Sequence, residues 1–151
     1  MKGHFQVPVT LVVALLCIGA VDSRAQKKKE AVVWPAGDVK WSEMKGGPPG
    51  IMYADLWGHI DKGAYGSLIK LPAGLKNPLH THSSDTKLVV VSGTFLYTPD
   101  GGTEQRLGPG SYLMVPGGLK HMSGVSDDGP CEVFQEGPGK FDFHPAEGGM
   151  K

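Results

Sequence analysis

Turn-forming residues interrupt this chain at short intervals, and that punctuation restricts its fold more than any other feature. The 151 residues include 23 glycines and 12 prolines, close to a quarter of all positions, where ordinary usage is about 12%. Gly46-Gly47-Pro48-Pro49-Gly50, Pro72-Ala73-Gly74, Pro99-Asp100-Gly101-Gly102, Gly108-Pro109-Gly110, Pro116-Gly117-Gly118, Asp127-Asp128-Gly129-Pro130 and Gly137-Pro138-Gly139 separate short apolar or β-branched runs. Those runs are Ala31 to Trp34, Ile51 to Trp57, Ala64 to Leu71, Lys87 to Tyr97, Ser111 to Val115, His121 to Val125 and Cys131 to Glu136. Gly, Pro, Asn and Asp set the φ angles that tight turns need. Strands joined by turns, with no helical period between them, predict an all-β sandwich or barrel. Pro99-Asp100-Gly101-Gly102 is the best local hairpin signal. A hydrophobic fraction of 40% and the absence of any short repeat argue for a folded chain over a disordered Gly/Pro linker.

The first 25 residues read as a signal peptide. Lys2 provides the positive start, Val7 to Ala20 the apolar stretch, and Ser23-Arg24-Ala25 the small residues of a cleavage site. The apolar stretch is shorter than the roughly 20 residues of a membrane-spanning helix. Residues 26–151 then form one domain that is periplasmic or secreted, with no stable membrane insertion after cleavage. Lys27-Lys28-Lys29 begin it as a solvated N-terminus. Lys and Arg together number 15, as do Asp and Glu, so nothing in the charge favours nucleic acid. Cys131 is the one cysteine beyond the signal segment; with no thiol to pair with, it reads as a small buried hydrophobe.

Chemistry concentrates in the histidines. His80 and His82 are separated by one residue, which on a strand sends both imidazoles to the same face. His121 follows the Pro116-Gly117-Gly118 turn on a later strand and can complete a set of three. A lone His-x-His also suits a hydrogen-bonded or surface pair, so spacing alone leaves both uses open.

Around these histidines the sequence resembles the cupin superfamily. The first cupin motif is matched by Gly74, five residues, His80-Thr81-His82, three residues, Thr86, six residues and Gly93. The second is matched by Gly110, five residues, Pro116-Gly117-Gly118, two residues and His121. The surroundings look most like small bacterial single-domain cupins related to the zinc-binding, ChrR-like cupin domain of anti-sigma factors. The resemblance implies a jelly-roll (double-stranded β-helix) barrel, a divalent metal ion (Zn, Fe, Mn or Ni) on His80, His82 and His121, and a homodimer.

One position departs from the family pattern. Where cupins carry a metal-binding glutamate this chain has Thr86, a poor ligand beside carboxylate or imidazole. Three neutral histidines leave the charge of a divalent ion uncompensated, which favours a small anionic partner in the remaining coordination positions. A replacement ligand could come from Glu136, which alternation places on one face with Glu132 and Phe134, or from His59, in a glycine-flanked loop. Asp85 is at an odd offset from His82 and points away if the strand is regular. Three functions stay open: a dioxygenase-like enzyme using a redox metal and a small anionic or chelating substrate, a zinc-dependent hydrolase or isomerase, and a non-catalytic binding or sensing module.

Overall fold

The computed structural model describes residues 30–147. The expected signal peptide, the lysines at 27–29 and the last four residues lie outside that range. After a single 3-10 turn, Ala36–Asp38, every element is a strand: β1 Ser42–Glu43, β2 Met52–Gly58, β3 Tyr65–Leu71, β4 Lys76–Thr81, β5 Thr86–Ser92, β6 Phe95–Pro99, β7 Gln105–Leu107, β8 Tyr112–Val115, β9 His121–Val125, β10 Cys131–Gly137 and β11 His144–Pro145. They make a six-stranded sheet ordered β1-β2-β3-β10-β5-β8 and a five-stranded sheet ordered β11-β4-β9-β6-β7. All pairings are antiparallel. The fold is all-β, two antiparallel sheets in a jelly roll.

Strict alternation builds the interior. Along β10, Cys131, Val133 and Gln135 are buried while Glu132, Phe134 and Glu136 are half-exposed, because successive side chains of a strand leave on opposite faces. Ile69, Leu88, Val90 and Val133 from the larger sheet meet Phe95, Tyr97 and Val125 from the smaller one, with Leu75 just before β4, in a single cluster. Each such side chain contributes about 1.5–3 kcal/mol by leaving water. Cys131 belongs to this cluster, and burial pushes its thiol up to about 11, so it packs as an inert hydrophobe.

Two expectations about strands need correction. Ala31 to Trp34 is not a strand: it pairs with nothing, and Val32 and Val33 stand exposed. Nothing in a short apolar run supplies a sheet partner. Lys87 to Tyr97 is two strands, broken where Gly93 turns the chain from one sheet to the other. Gly93 has φ of 74°, and an added Cβ would lie 2.2 Å from the Pro130 carbonyl oxygen, so glycine is required there on both counts. The strand β4 falls outside the apolar runs because it opens on Lys76-Asn77-Pro78. Its pairing with β9 shifts register between Asn77 and His80, the kind of irregularity that accommodates a proline inside a sheet. The Pro99 hairpin forms as expected, joining β6 to β7, with the Gly102 amide bonded to the Pro99 carbonyl at 2.9 Å.

Candidate metal centre

The three histidines converge from neighbouring strands of the five-stranded sheet. His80 is on β4, His82 lies one residue past its end, and His121 opens β9, directly across from His80. The turn before His121 is clamped to the loop after His82. The Gly118 amide donates to the His82 carbonyl at 2.8 Å, the Gly117 amide to Asp85 Oδ1 at 2.9 Å, and a Cβ on Gly117 would meet the Ser83 carbonyl oxygen at 2.8 Å. This contact fixes the separation of the two ligand-bearing segments. One ring nitrogen from each histidine lies within 4.8 Å of the others, and His80, His82 and His121 are 1%, 8% and 3% exposed.

Hydrogen bonds orient all three rings in the same sense. His80 Nδ1 is 2.7 Å from the Pro78 carbonyl, His121 Nδ1 is 3.0 Å from the Leu119 carbonyl, and His82 Nδ1 is 2.5 Å from the Asp142 carbonyl. A carbonyl only accepts, so each Nδ1 carries the proton and each Nε2 keeps its lone pair. Desolvation dominates the acid–base behaviour: it pulls His80 down to about 4 and lowers His82 and His121 as well, against the opposing effect of those carbonyl bonds. At neutral pH the cluster is therefore three uncharged imidazoles with three free lone pairs, a donor set that fits a divalent ion of the zinc or iron kind.

A C-terminal strap covers the cluster. Phe143 stacks on His80 with centroids 4.2 Å apart, Phe141 packs against His82 at 5.0 Å, and Tyr97 flanks His121 at 5.6 Å. Backbone bonds from Phe141 to Ile60 (2.7 Å) and from Ala146 to Leu79 (2.9 Å) hold the strap in place. The Asp142 carboxylate accepts from the Ser83 amide at 2.8 Å and lies 3.1 Å from His144 Nε2. His144 thus serves as a clip on the strap, half-exposed and away from the three-nitrogen cluster.

The remaining candidates lie elsewhere. Thr86 is buried at the start of β5 and lines a crevice with Tyr65, His82 and Asp142. Asp85 accepts from the Gly117 amide; it lies in the loop between β4 and β5, so the strand offset from His82 does not govern its direction. Glu136 is on the outer face of the six-stranded sheet, 3.7 Å from Lys87 Nζ, because β10 points Gln135 inward in its place. His59 sits in the turn after β2 against the carboxylates of Asp61 and Asp55. Neither residue contributes to the cluster. Sequence reasoning also passed over residues that shape the site. Pro78 and Leu119 each stand two positions before a ligand histidine and could have been found from that spacing. Asp142, Tyr65 and Gln135 arrive only through tertiary structure.

Comparison with known proteins agrees with this architecture. The family profile described as "Domain of unknown function (DUF4437)" matches residues 21–143. No curated protein sequence matches the chain. Among solved structures, the polyketide cyclase RemF from Streptomyces resistomycificus is similar with a TM-score of 0.64 at 18% identity, over 78% of this chain and 86% of that one. An RmlC-like cupin protein from Ralstonia eutropha JMP134 gives 0.63 at 18% identity, over 82% and 77%. The DMSP lyase DddQ from Ruegeria pomeroyi gives 0.54 at 22% identity, over 69% and 58%. At these identities the likeness establishes the cupin fold and nothing finer.

Proposed function

The chain belongs to the DUF4437 family, and from that premise we propose that it is a metal-dependent cupin in which His80, His82 and His121 hold a divalent ion and a small anionic or chelating molecule is the substrate or ligand. One observation carries the proposal: all three Nδ1 atoms are engaged by main-chain carbonyls, leaving three Nε2 lone pairs free in a buried cluster. Three converging imidazole lone pairs are the donor set that a divalent ion takes up together. The protein holds these imidazoles neutral, excludes water with Phe141 and Phe143, and contributes no carboxylate from Thr86. A divalent charge faced only by neutral donors selects an anion.

Bound there, Fe(II), Mn or Ni would supply dioxygenase-type chemistry, and zinc would polarise a carbonyl or water. A zinc-dependent hydrolase or isomerase is the second possibility, beside the dioxygenase-like one. Elemental analysis of the purified protein comes first. Oxygen uptake by the Fe(II)-loaded protein with β-diketone, catechol-like or thiol compounds would support a dioxygenase. Turnover by the zinc-loaded protein without oxygen would support the second possibility. Tight metal binding without turnover would leave a sensing or binding module of the anti-sigma-factor type, and protein that takes up no metal would refute the proposal.

Export and self-association complete the proposal. Residues 1–25 would direct the chain to the periplasm or outside the cell, and no helix among the described residues is long and apolar enough to cross a membrane. A homodimer would bury the outer face of β5 and β8. There Val89, Val91, Tyr112 and Met114 are exposed on adjacent strands, and Lys87 and Glu136 on the same face supply charges of both signs. Light scattering at micromolar concentration tests the dimer; a monomer would exclude it.

A further inference from the structure

The wall built by β3, β10 and β5 holds a buried polar pair that no histidine uses. Tyr65 and Gln135 are 1% and 6% exposed, and Gln135 Nε2 donates to the Tyr65 hydroxyl oxygen at 2.6 Å. Among the described residues, no acceptor takes the phenol's own proton. A buried donor without a partner costs free energy comparable to a lost hydrogen bond.

Register shows where that donor lies. Tyr65 pairs with Gly137, and one step beyond the Glu136–Lys87 pair the same ladder carries Gly137 to Thr86, which in turn pairs with Val115. The row reads Tyr65, Gly137, Thr86, Val115 and contains no carboxylate. A methyl on Gly137 would lie 3.0 Å from Tyr65 Cε1 and 3.5 Å from Cζ, so the phenol ring occupies the space a side chain there would fill. The ring therefore lies along the row towards Thr86. Tyr65, Gly137, Thr86 and His82 line one crevice.

We propose that the Tyr65 hydroxyl, positioned by Gln135, is the hydrogen-bond donor for the anion taken up beside the three-histidine ion. This rests on the metal proposal above and names the anion's second point of attachment. The chemistry is complementary: the row from Tyr65 to Val115 carries no carboxylate, the Asp85 and Asp142 carboxylates that share the crevice accept from the Gly117 and Ser83 amides, and a phenol proton with no other acceptor binds one of the anion's oxygens or nitrogens. Burial pushes the phenol up to about 12, so it remains a donor across the physiological range. Gln135 acts through Tyr65 and is a positioning residue.

The test uses the cobalt(II)-loaded protein titrated with azide, followed by visible absorption, beside Tyr65→Phe and Gln135→Leu. Phenylalanine keeps the ring over Gly137 and removes only the O–H. The expected result is unchanged cobalt content in both variants, with azide binding weakened roughly tenfold in Tyr65→Phe, the worth of one hydrogen bond, and less in Gln135→Leu. Azide affinity equal to that of the unaltered protein, in cobalt-loaded Tyr65→Phe or, if that variant does not fold, in Gln135→Leu, would overturn the inference and leave the metal proposal standing. Loss of cobalt from a folded Tyr65→Phe would make the phenol a ligand instead of a donor and would also overturn it. An unaltered protein that takes up no cobalt would overturn both.

Discussion

The two sheets supply polar groups to one interior by different routes. On the five-stranded sheet, His80 and His121 are each oriented by a carbonyl two residues earlier in the chain, Pro78 and Leu119. On the six-stranded sheet, Tyr65 is held by Gln135, 70 positions away. His82 belongs to both patterns: its place follows from the His-x-His spacing, but its tautomer is set by Asp142, 60 residues on. Ligand identity is thus encoded locally, whereas the surroundings that decide what the ligands bind are assembled by tertiary contacts. Motif reading reaches the first and stops short of the second.

The sharpest way to separate the two walls is to remove ligands from one. A His80→Ala, His121→Ala variant is expected to lose essentially all bound metal, as read by elemental analysis; content equal to that of the unaltered protein would show that these nitrogens do not bind the ion. Next in size is a pH effect on the metal-free protein. His80 titrates near 4 in the fold against 6.5 in the unfolded chain, so between those values the unfolded state binds more protons. The stabilising contribution is complete above about pH 6.5 and is lost as pH falls towards 4, by a few kcal/mol. Urea unfolding at pH 7 and 4.5 measures it, and most of the dependence should vanish in the double variant.

Removing residues 141–151 takes away Phe141, Phe143 and the Asp142 carbonyl without touching a ligand. Metal affinity should fall about 10–100-fold, the usual cost of losing a group that orients a ligand; isothermal titration with Zn would show it. Thr86→Glu works from the opposite wall. A carboxylate there should tighten metal binding by roughly 1.5–3 kcal/mol, the range for hydrogen bonds to a charged group, and should weaken azide binding because the charge is then met internally. Unchanged affinities would mean that Thr86 does not face the ion. Smallest of all is Glu136→Gln. Its partner Lys87 is on the outer surface, so metal affinity should stay within about twofold, as for most exposed ion pairs; a larger loss would return Glu136 to the site.

These differences also explain what the sequence showed and what it hid. Gly74, Gly93, Gly110 and Gly118 all adopt positive φ, so the turn set of the barrel was visible in composition and spacing. The alternation of β10 could be read as well, and it predicted that Glu132, Phe134 and Glu136 share a face. Which face pointed inward depended on pairing with β3 and β5, and that placed Gln135 inside and Glu136 outside. Ala31 to Trp34 had the composition of a strand and no partner to pair with. The strap was hidden because Lys140 to Pro145 carries no period, and its order comes from bonds to Ile60, Leu79, His82 and Ser83.

Histidine tautomers in the metal-free protein provide the most direct check, through two-bond proton–nitrogen correlation spectra at neutral pH. Three uncharged rings with the proton on Nδ1, whose Nε2 resonances all move when one equivalent of zinc is added, are the predicted result. A charged ring, a proton on any Nε2, or zinc binding that leaves one of His80, His82 and His121 unmoved would contradict the three-nitrogen centre.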